Sequence, residues 1–320
     1  MAFASVHSLQ EWGQRFGVPP KPSVLTIGNF DGVHLGHQKI LADVLERAQS
    51  KDLMAAVLTF YPHPASVLRP TSAPCLLTTL SRRLAAFETA GIQAALILRF
   101  DAELASVSAE DFAHLYLVET LRARAVMVGA NFRFGHRQAG DVKTLEEFGR
   151  KWGFEVHAVP PVVVDGVVVS SSAIRQALSE GRMEDATKFL GRAFALEGEI
   201  KAGTGQGSKL VVPTLNLATE QECLPKSGVY VTETTVEGIT YRSATNIGMR
   251  PTFDGKRLAI ESHLLDFSGN LTSGPMKVSF HARLRDEQKF PGPEALKKQV
   301  LQDIERAKEF FHAKKISGTL

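Results

Sequence analysis

Two hydrophobic patterns divide the chain. Up to about residue 186, mainly apolar runs such as 24–27 alternate with segments such as 40–48, in which apolar residues recur every three or four positions. These patterns are typical of buried parallel strands and amphipathic helices. After about residue 187, short runs of alternating apolar and polar residues take over. We therefore expect an α/β domain with a parallel, Rossmann-like sheet over 1–186 and a small antiparallel β-barrel over 187–320.

Weaker signals predict further elements in the first domain. Residues 1–22 are expected to be a leader and 65–80 a loop. Ser108 and Asp111 form a capping box that predicts a helix through residue 121. The Asp165-Gly166 pair predicts a hairpin, and a last helix and linker are expected over 183–192.

The second domain reads as six strands and one helix. The terminal helix is expected from residue 294 to about 314, with one apolar stripe. The stripe consists of Leu296, Val300, Leu301, Ile304, Ala307 and Phe311. The expected strands are 195–200, 210–217, 228–235, 240–247, 258–265 and 276–283.

The stretch from Val24 to His37 is the strongest candidate site. Its glycines end an apolar strand and permit a tight turn, after which helical spacing begins. A helix N-terminus attracts anions, and two imidazoles one helical turn apart can donate hydrogen bonds to phosphate oxygens. We interpret the stretch as a triphosphate site, with Gly36 letting a ligand approach the backbone. The candidate residues are Gly28, Asn29, Phe30, Asp31, His34, Gly36 and His37.

Two other interpretations of the histidine pair are open. The imidazoles could cap the helix, or they could bind zinc, although zinc normally takes three or four ligands and no cysteine lies nearby. The stretch lacks the Gly-x-Gly-x-x-Gly and Gly-Lys-Ser/Thr fingerprints. The order strand, glycine turn, His-x-Gly-His favours phosphate binding and resembles the nucleotidylyltransferase signature.

Three more segments of the first domain carry candidates. His63 follows the apolar run 54–60, and prolines on both sides of it exclude a helix, so it is expected at the carboxyl end of a strand, where ligands bind. Asn131 lies in a loop whose aromatic and amide groups could contact a planar ring. Ser171 and Ser172 precede a predicted helix that carries Arg175. The N-terminus of this helix could bind a second anion, with the serine hydroxyls as caps and Arg175 as a phosphate ligand.

In the second domain, three features suggest chemistry, although each alone is weak. A glycine loop could form an anion-binding nest of backbone N–H groups, but most such loops are ordinary turns. A hydroxyl and an amide two residues apart on a strand offer hard oxygen ligands for Mg²⁺. A glutamate on an otherwise apolar strand could be a general base. These residues are Gly203, Gly205 and Gly207, then Thr214 and Asn216, and lastly Glu261.

Composition narrows the class of protein. The 320 residues include 37 basic and 34 acidic ones, a net charge of +3, without the clustered positive surface that nucleic-acid binding needs. No run is long enough to span a bilayer and no signal peptide opens the chain, so we expect a cytoplasmic protein without a membrane or nucleic-acid partner. Cys75 and Cys223 are far apart, and a disulfide between them is not expected.

Over nearly its whole length the chain resembles the prokaryotic bifunctional riboflavin kinase/FMN adenylyltransferases, also called FAD synthetases. The first half carries Gly-Asn-Phe-Asp-Gly-Val-His-Leu-Gly-His at 28–37 and Thr-Phe-Tyr-Pro-His-Pro at 59–64. The second half carries Pro-Thr-Leu-Asn at 213–216, Asn-Ile-Gly-Met-Arg-Pro-Thr-Phe at 246–253 and Glu-Ser-His-Leu-Leu-Asp-Phe at 261–267. The resemblance implies ATP-dependent conversion of riboflavin to FMN in the second domain. It also implies adenylylation of FMN to FAD, with release of pyrophosphate, in the first.

The resemblance also implies residue roles. The matching residues handle the ATP phosphates (His34, His37 and Arg175), line the nucleotide–flavin site (Asn131), hold the Mg²⁺–nucleotide complex (Thr214 and Asn216) and activate the riboflavin hydroxyl (Glu261). Arg250, in the Asn-Ile-Gly motif, is a further flavin- or nucleotide-binding candidate. The family usually reads Gly-Arg-x-x-Gly-Phe-Pro-Thr-Ala-Asn where this chain has residues 207–216, and Lys209 is the candidate for replacing the lost charge.

Two other functions remain open at this point. A class I aminoacyl-tRNA synthetase-like enzyme also uses a His-x-Gly-His motif, but it would need a lysine-rich second signature and a basic surface. A non-catalytic flavin-binding module would leave both histidines and Glu261 idle. The oligomeric state is open.

Overall fold

The computed structural model describes residues 2–201, 212–252, 255–267, 269 and 271–316. The chain divides into two compact units, Met1–Ser171 and Ser172–Leu320. The hydrophobic pattern changes later, near residue 186, because the residues in between are helical like those of the first half. Among the described residues, no helix combines the length and apolar character needed to cross a membrane.

A six-stranded parallel sheet is the centre of the first unit. Its central strands are mainly apolar and are buried on both faces, as in sheets that helices cover on both sides. One core includes Leu25 and Leu96, and the other includes Val24, Val57 and Leu41. The sheet order is β1-β4-β3-β2-β5-β6. The strands are β1 (Ala4–Val6), β2 (Ser23–Ile27), β3 (Met54–Tyr61), β4 (Ala94–Arg99), β5 (Ala123–Gly129) and β6 (Glu155–Val159).

The helices of this unit follow the predicted pattern with three differences. The expected leader contains β1 and α1, the expected loop over 65–80 contains α3, and the helix that Ser108 caps continues as a π-helix over Ala113–Thr120. The predicted Asp165-Gly166 hairpin is present as β7 (Val163–Val164) and β8 (Val167–Val168). The α-helices are α1 (Leu9–Phe16), α2 (Leu35–Ser50), α3 (Pro64–Leu68), α4 (Leu80–Thr89), α5 (Ala102–Ser106), α6 (Ala109–Phe112) and α7 (Val142–Trp152).

The second unit contains a closed antiparallel barrel and a terminal helix, as predicted. Helix α8 (Ser171–Glu180) leads into this unit and is followed by α9 (Met183–Leu190). The backbone N–H of Lys226 donates to the carbonyl of Leu178 at 2.9 Å, which ties α8 to the barrel segment. The barrel order is β10-β13-β12-β11-β14-β9. The strands are β9 (Phe194–Lys201), β10 (Leu215–Ala218), β11 (Gly228–Val236), β12 (Ile239–Thr252), β13 (Gly255–Leu264) and β14 (Pro275–Arg285).

The two faces of the barrel strands differ. One face is fully buried and carries a chain of hydroxyls from Thr234 through Ser243, Thr232 and Thr245 to Ser262, joined by oxygen–oxygen distances of 2.6–2.8 Å. We call these residues the hydroxyl chain, and their complete burial places them inside the barrel.

The alternating residues face outward. Val231, Ala244 and Ala282 pack against Ala307 and Phe311 of α10 (Pro293–Ile316). The predicted stripe of α10 is therefore only partly a contact surface, because Leu296 and Leu301 are exposed.

Candidate active sites

The first candidate site is the loop between β2 and α2. Its backbone takes positive φ values at Phe30 (52°), Gly32 (84°) and Val33 (41°). Such angles are strained for residues other than glycine, and they persist only where neighbouring contacts fix them. The Gly32 N–H donates to the Thr78 hydroxyl at 3.0 Å, which is one of those contacts.

Asp31 provides the other anchors of this loop. Its buried carboxylate accepts hydrogen bonds from the backbone N–H groups of Leu77 and Thr78, both at 3.1 Å. The Ser171 hydroxyl donates to the Asp31 carbonyl at 2.9 Å. Both residues were predicted to contact ligand, and the structure gives each of them a role in holding the loop.

His34 and His37 form a stacked pair at the start of α2. His34 is the N-cap, and its Nδ1 accepts a 3.4 Å hydrogen bond from the His37 backbone N–H. The two rings have centroids 3.7 Å apart with an 18° angle between their planes. A Cβ at Gly36 would lie 3.2 Å from the His34 ring, so this glycine leaves room for the imidazole. The histidines lie on one face of the first turn, as the spacing predicted.

Burial holds the pKa of His37 well below its ordinary value of 6.5, and the charges of His34 and Arg83 lower it further. The His37 ring also lies 5.1 Å from that of Phe30, centroid to centroid. Its Nδ1 is buried without a hydrogen-bond partner among the described residues. The burial of His37 therefore favours the neutral form of its imidazole at neutral pH.

We expect His37 to stay neutral when the pH is lowered through 6.5, the ordinary histidine pKa. The unfolded chain binds a proton at this residue in that range and the folded chain does not, so His37 lowers the stability of the fold as the pH falls. NMR titration of the imidazole nitrogens, with the urea-unfolded chain as control, measures this directly. A folded-state titration at or above pH 6.5 would contradict the structure.

The sequence did not single out Arg83. This side chain on α4 is only 1% exposed, and its Nη1 donates to the Asn29 carbonyl at 2.5 Å. Several buried polar atoms near this loop and its supporting strands have no hydrogen-bond partner among the described residues, and such atoms call for a ligand or water. They are Thr26 Oγ1, Asn29 Oδ1, His37 Nδ1, Thr59 Oγ1, and Arg83 Nε and Nη2.

The remaining candidates of this half take varied positions. His63 follows β3 and caps α3, accepting a hydrogen bond from the Ala65 N–H at 3.1 Å. Asn131 is exposed, whereas Phe134 of the same loop is buried in the core, where it is not available to stack on a ligand. Ser172 and Arg175 lie in the first turns of α8, exposed and half-buried respectively.

The second candidate site is a row of polar side chains on the barrel. Strand register places Asn216 of β10 opposite Glu261 of β13, and Glu261 opposite Asn246 of β12. Directly opposed residues share a face and have Cβ atoms about 4.5–5.5 Å apart. Asn246 lies two positions after Ala244 on β12, so both side chains lie on the outer face of the barrel. The row therefore faces outward. The Glu261 side chain is 8% exposed, which confirms the expected burial. The prediction that this side chain lies inside the barrel was wrong.

A histidine supports one end of this row. The His263 ring donates from Nδ1 to the Pro213 carbonyl at 2.9 Å, joining β13 to the segment that carries Thr214. His263 and Asn246 were not predicted as members of this row, although they lie in the motifs at 261–267 and 246–253. Thr214 and Asn216 are half-buried. Their hydroxyl and amide oxygens are hard donors that fit Mg²⁺ together with phosphate and water oxygens.

Five predicted binding residues cannot be placed. Gly203, Gly205, Gly207 and Lys209 lie outside the described residues, as does the side chain of Arg250. Within the part of the chain that the structure describes, no group of three or more His, Cys, Asp or Glu residues could hold a metal ion.

Comparison with known proteins identifies the two halves separately. The family model for FAD synthetase matches residues 18–173, and that for riboflavin kinase matches residues 190–311. The bifunctional riboflavin kinase/FMN adenylyltransferase of Pseudomonas fluorescens is 38% identical over 89% of this chain and 92% of its own length. That of Escherichia coli K12 is 35% identical over 96% of both chains. The chain belongs to the bifunctional riboflavin kinase/FMN adenylyltransferase family.

Family membership settles the main prediction. The chain is an enzyme of the flavin kinase and adenylyltransferase class, and the tRNA synthetase-like and non-catalytic alternatives are not favoured. The crystal structure of a macrolide-efflux protein from Streptococcus pneumoniae has the same fold, with a TM-score of 0.86 and 26% identity over 96% of this chain and 99% of that one. The FAD synthetase match contains the stacked histidines, and the riboflavin kinase match contains the Asn216–Glu261–Asn246 row.

Proposed function

We propose that the chain makes FMN from riboflavin and ATP at the barrel, and FAD from FMN and ATP at the histidine loop. The observation that carries this division is the location of each site within one family match: His34 and His37 within 18–173, Glu261 within 190–311. The substrates are small molecules, and the proposal includes no nucleic-acid partner. Because both reactions consume ATP, we assign the enzyme to the cytoplasm.

In the adenylyl transfer, a phosphate oxygen of FMN attacks the α-phosphorus of ATP. The bond from that phosphorus to the bridging oxygen of the β-phosphate breaks, and pyrophosphate leaves. No protein nucleophile is required, so the protein contributes positioning and charge stabilisation. His34, His37 and Arg175 are assigned to the ATP phosphates. The neutral His37 imidazole supplies a hydrogen bond to oxygen rather than a charge.

In the kinase reaction, Glu261 accepts the proton of the terminal ribityl hydroxyl of riboflavin. The hydroxyl oxygen then attacks the γ-phosphorus of ATP, and ADP leaves. Thr214 and Asn216 are assigned to Mg²⁺, which when bound would reduce the negative charge of the phosphates. Asn246, opposite Glu261 in the row, is placed to orient the carboxylate or the flavin.

Incubation of the whole chain with riboflavin and labelled ATP, followed by chromatography, tests the proposal. We expect FMN to appear first and FAD afterwards, with ADP and pyrophosphate as by-products. Supplying FMN in place of riboflavin should yield FAD alone. Binding of flavin without either product would favour the non-catalytic module, and labelled adenylate formed only with an amino acid would favour the synthetase-like alternative.

The two activities are expected to be separable. A fragment of residues 1–186 should adenylylate supplied FMN, and a fragment of 187–320 should phosphorylate riboflavin. Each fragment contains all the residues that are assigned to its reaction. Product chromatography of each fragment measures this. If neither fragment folds or acts while the whole chain does both, the functional boundary lies elsewhere.

A further inference from the structure

A buried cation lies beside the histidine loop, and the reactions derived above give it no task. The Arg83 side chain is 1% exposed, and one guanidinium nitrogen, Nη1, donates a hydrogen bond to the Asn29 carbonyl. Its Nε and Nη2 have no hydrogen-bond partner among the described residues. A guanidinium with two unsatisfied N–H directions is costly to bury, and an anion that accepts from them offsets that cost.

Arg83 provides a buried positive charge beside this loop, in addition to the residues already assigned to the ATP phosphates. His37 is neutral, with its pKa held down by burial and by the charges of His34 and Arg83. Burial lowers the pKa of Arg83 as well, while the charges of Asp31 and Tyr61 raise it. The Asp31 carboxylate accepts hydrogen bonds from the amides of Leu77 and Thr78. Phosphate groups carry several negative charges, and imidazoles alone do not balance them.

We propose that Arg83 is a phosphate-binding residue of the adenylyl-transfer site. Nη1 holds the Asn29 turn, and Nε and Nη2 bind phosphate oxygens of ATP at the N-terminus of α2. Arg83 supplies charge and the stacked histidines supply hydrogen bonds. This inference rests on the proposed function of the first unit and extends it by one residue.

Three variants of the whole chain test it. Arg83→Met removes the charge but keeps most of the volume, and Arg83→Lys keeps the charge. The control is Arg122→Met, because Arg122 also donates to a backbone carbonyl, that of Pro20 at 2.9 Å, but at the amino end of β5. FAD formation is measured against ATP concentration. FMN formation from riboflavin in the same samples reports on folding elsewhere.

We expect Arg83→Met to lower kcat/KM for ATP in FAD formation about 10²–10³-fold, the scale for losing one preorganised donor. Arg83→Lys should stay within about tenfold of the unchanged protein, and Arg122→Met should match it. The charged groups acting on His37 are His34 on α2 and Arg83 on α4. Removing Arg83 raises the pKa of His37, so the acid limb of the residual FAD activity should move to higher pH.

Each other result overturns the inference. Full FAD formation by Arg83→Met shows that the charge is not used. An equal loss in Arg83→Met and Arg83→Lys, or unfolding of both, shows a structural tie to Asn29 instead of phosphate binding. An equal loss in Arg122→Met shows that any loop-anchoring arginine has this effect. If the unchanged chain makes no FAD, the proposed function of the first unit fails, independently of the variants.

Discussion

Replacing Glu261 by glutamine is expected to lower riboflavin phosphorylation about 10²–10⁴-fold, the usual contribution of general-base catalysis. The amide keeps the size of the side chain, but it cannot accept the proton of a hydroxyl whose pKa is very high. The interaction is lost mainly in the transition state, so the apparent affinity for riboflavin should change little. Steady-state rates of FMN formation against riboflavin concentration measure both parameters.

Two controls accompany this variant. FAD synthesis from supplied FMN should continue, because Glu261 belongs to the riboflavin kinase match alone. Glu237→Gln is the matched control, since Glu237 is an exposed carboxylate in the turn between β11 and β12 of the same barrel, at the opposite end of that strand pair from Asn246. A Glu261→Gln protein with the unchanged rate of FMN formation would leave Glu261 as a structural strand residue, and another base would have to be found.

The second large effect concerns the stacked histidines. Replacing either His34 or His37 by alanine is expected to slow FAD formation about 10²–10³-fold, because each removes a preorganised donor to the ATP phosphates. His34→Ala also removes the N-cap, which adds about 1 kcal/mol of lost stability. Rates of FAD formation from FMN and ATP measure the effect.

FMN formation should barely change in these variants, and it serves as the internal reference. His114→Ala is the matched control: this histidine lies in the π-helix of the same unit, where its ring contacts Trp152. An equal loss of both activities in a histidine variant would indicate a folding defect and remove the assigned role. Full FAD activity in both variants would show that the His34 side chain only caps α2 and that the His37 side chain does not act on ATP.

Local patterns of the sequence were sufficient for much of this molecule. The parallel sheet and the barrel follow from hydrophobic periodicity, and the stacked histidines follow from residues adjacent in the chain. Edge elements were harder: β1 has three residues, too few to show a period, so residues 1–22 looked like a leader. The helices α8 and α9 carry a helical pattern like that of the first half, and only tertiary contacts show that they join the barrel unit.

The parts of the sites that depend on distant contacts were not predicted. Arg83 precedes Phe87 by four residues and so lies on the buried face of α4, a signal that was available, but its contact with Asn29 joins residues 54 positions apart. Glu261 was expected inside the barrel because its neighbours are apolar. Alternation along a strand gives the opposite answer: Ile260, Ser262 and Leu264 share the inner face, which leaves Glu261 outside.

The hydroxyl chain inside the barrel constrains how the sequence can diverge. Replacing one hydroxyl by a methyl group leaves a neighbouring oxygen buried without its partner, which costs about 1–3 kcal/mol, whereas replacing both members of a pair is nearly neutral. The hydroxyls of Thr232 and Ser243 are hydrogen-bonded to each other. Each also forms a hydrogen bond with a further hydroxyl, that of Thr245 for Thr232 and that of Thr234 for Ser243. During evolution of this chain, these positions are therefore expected to change together. Sequences in which all of them carry hydroxyls, or all of them carry aliphatic side chains, should be more stable than sequences that combine the two.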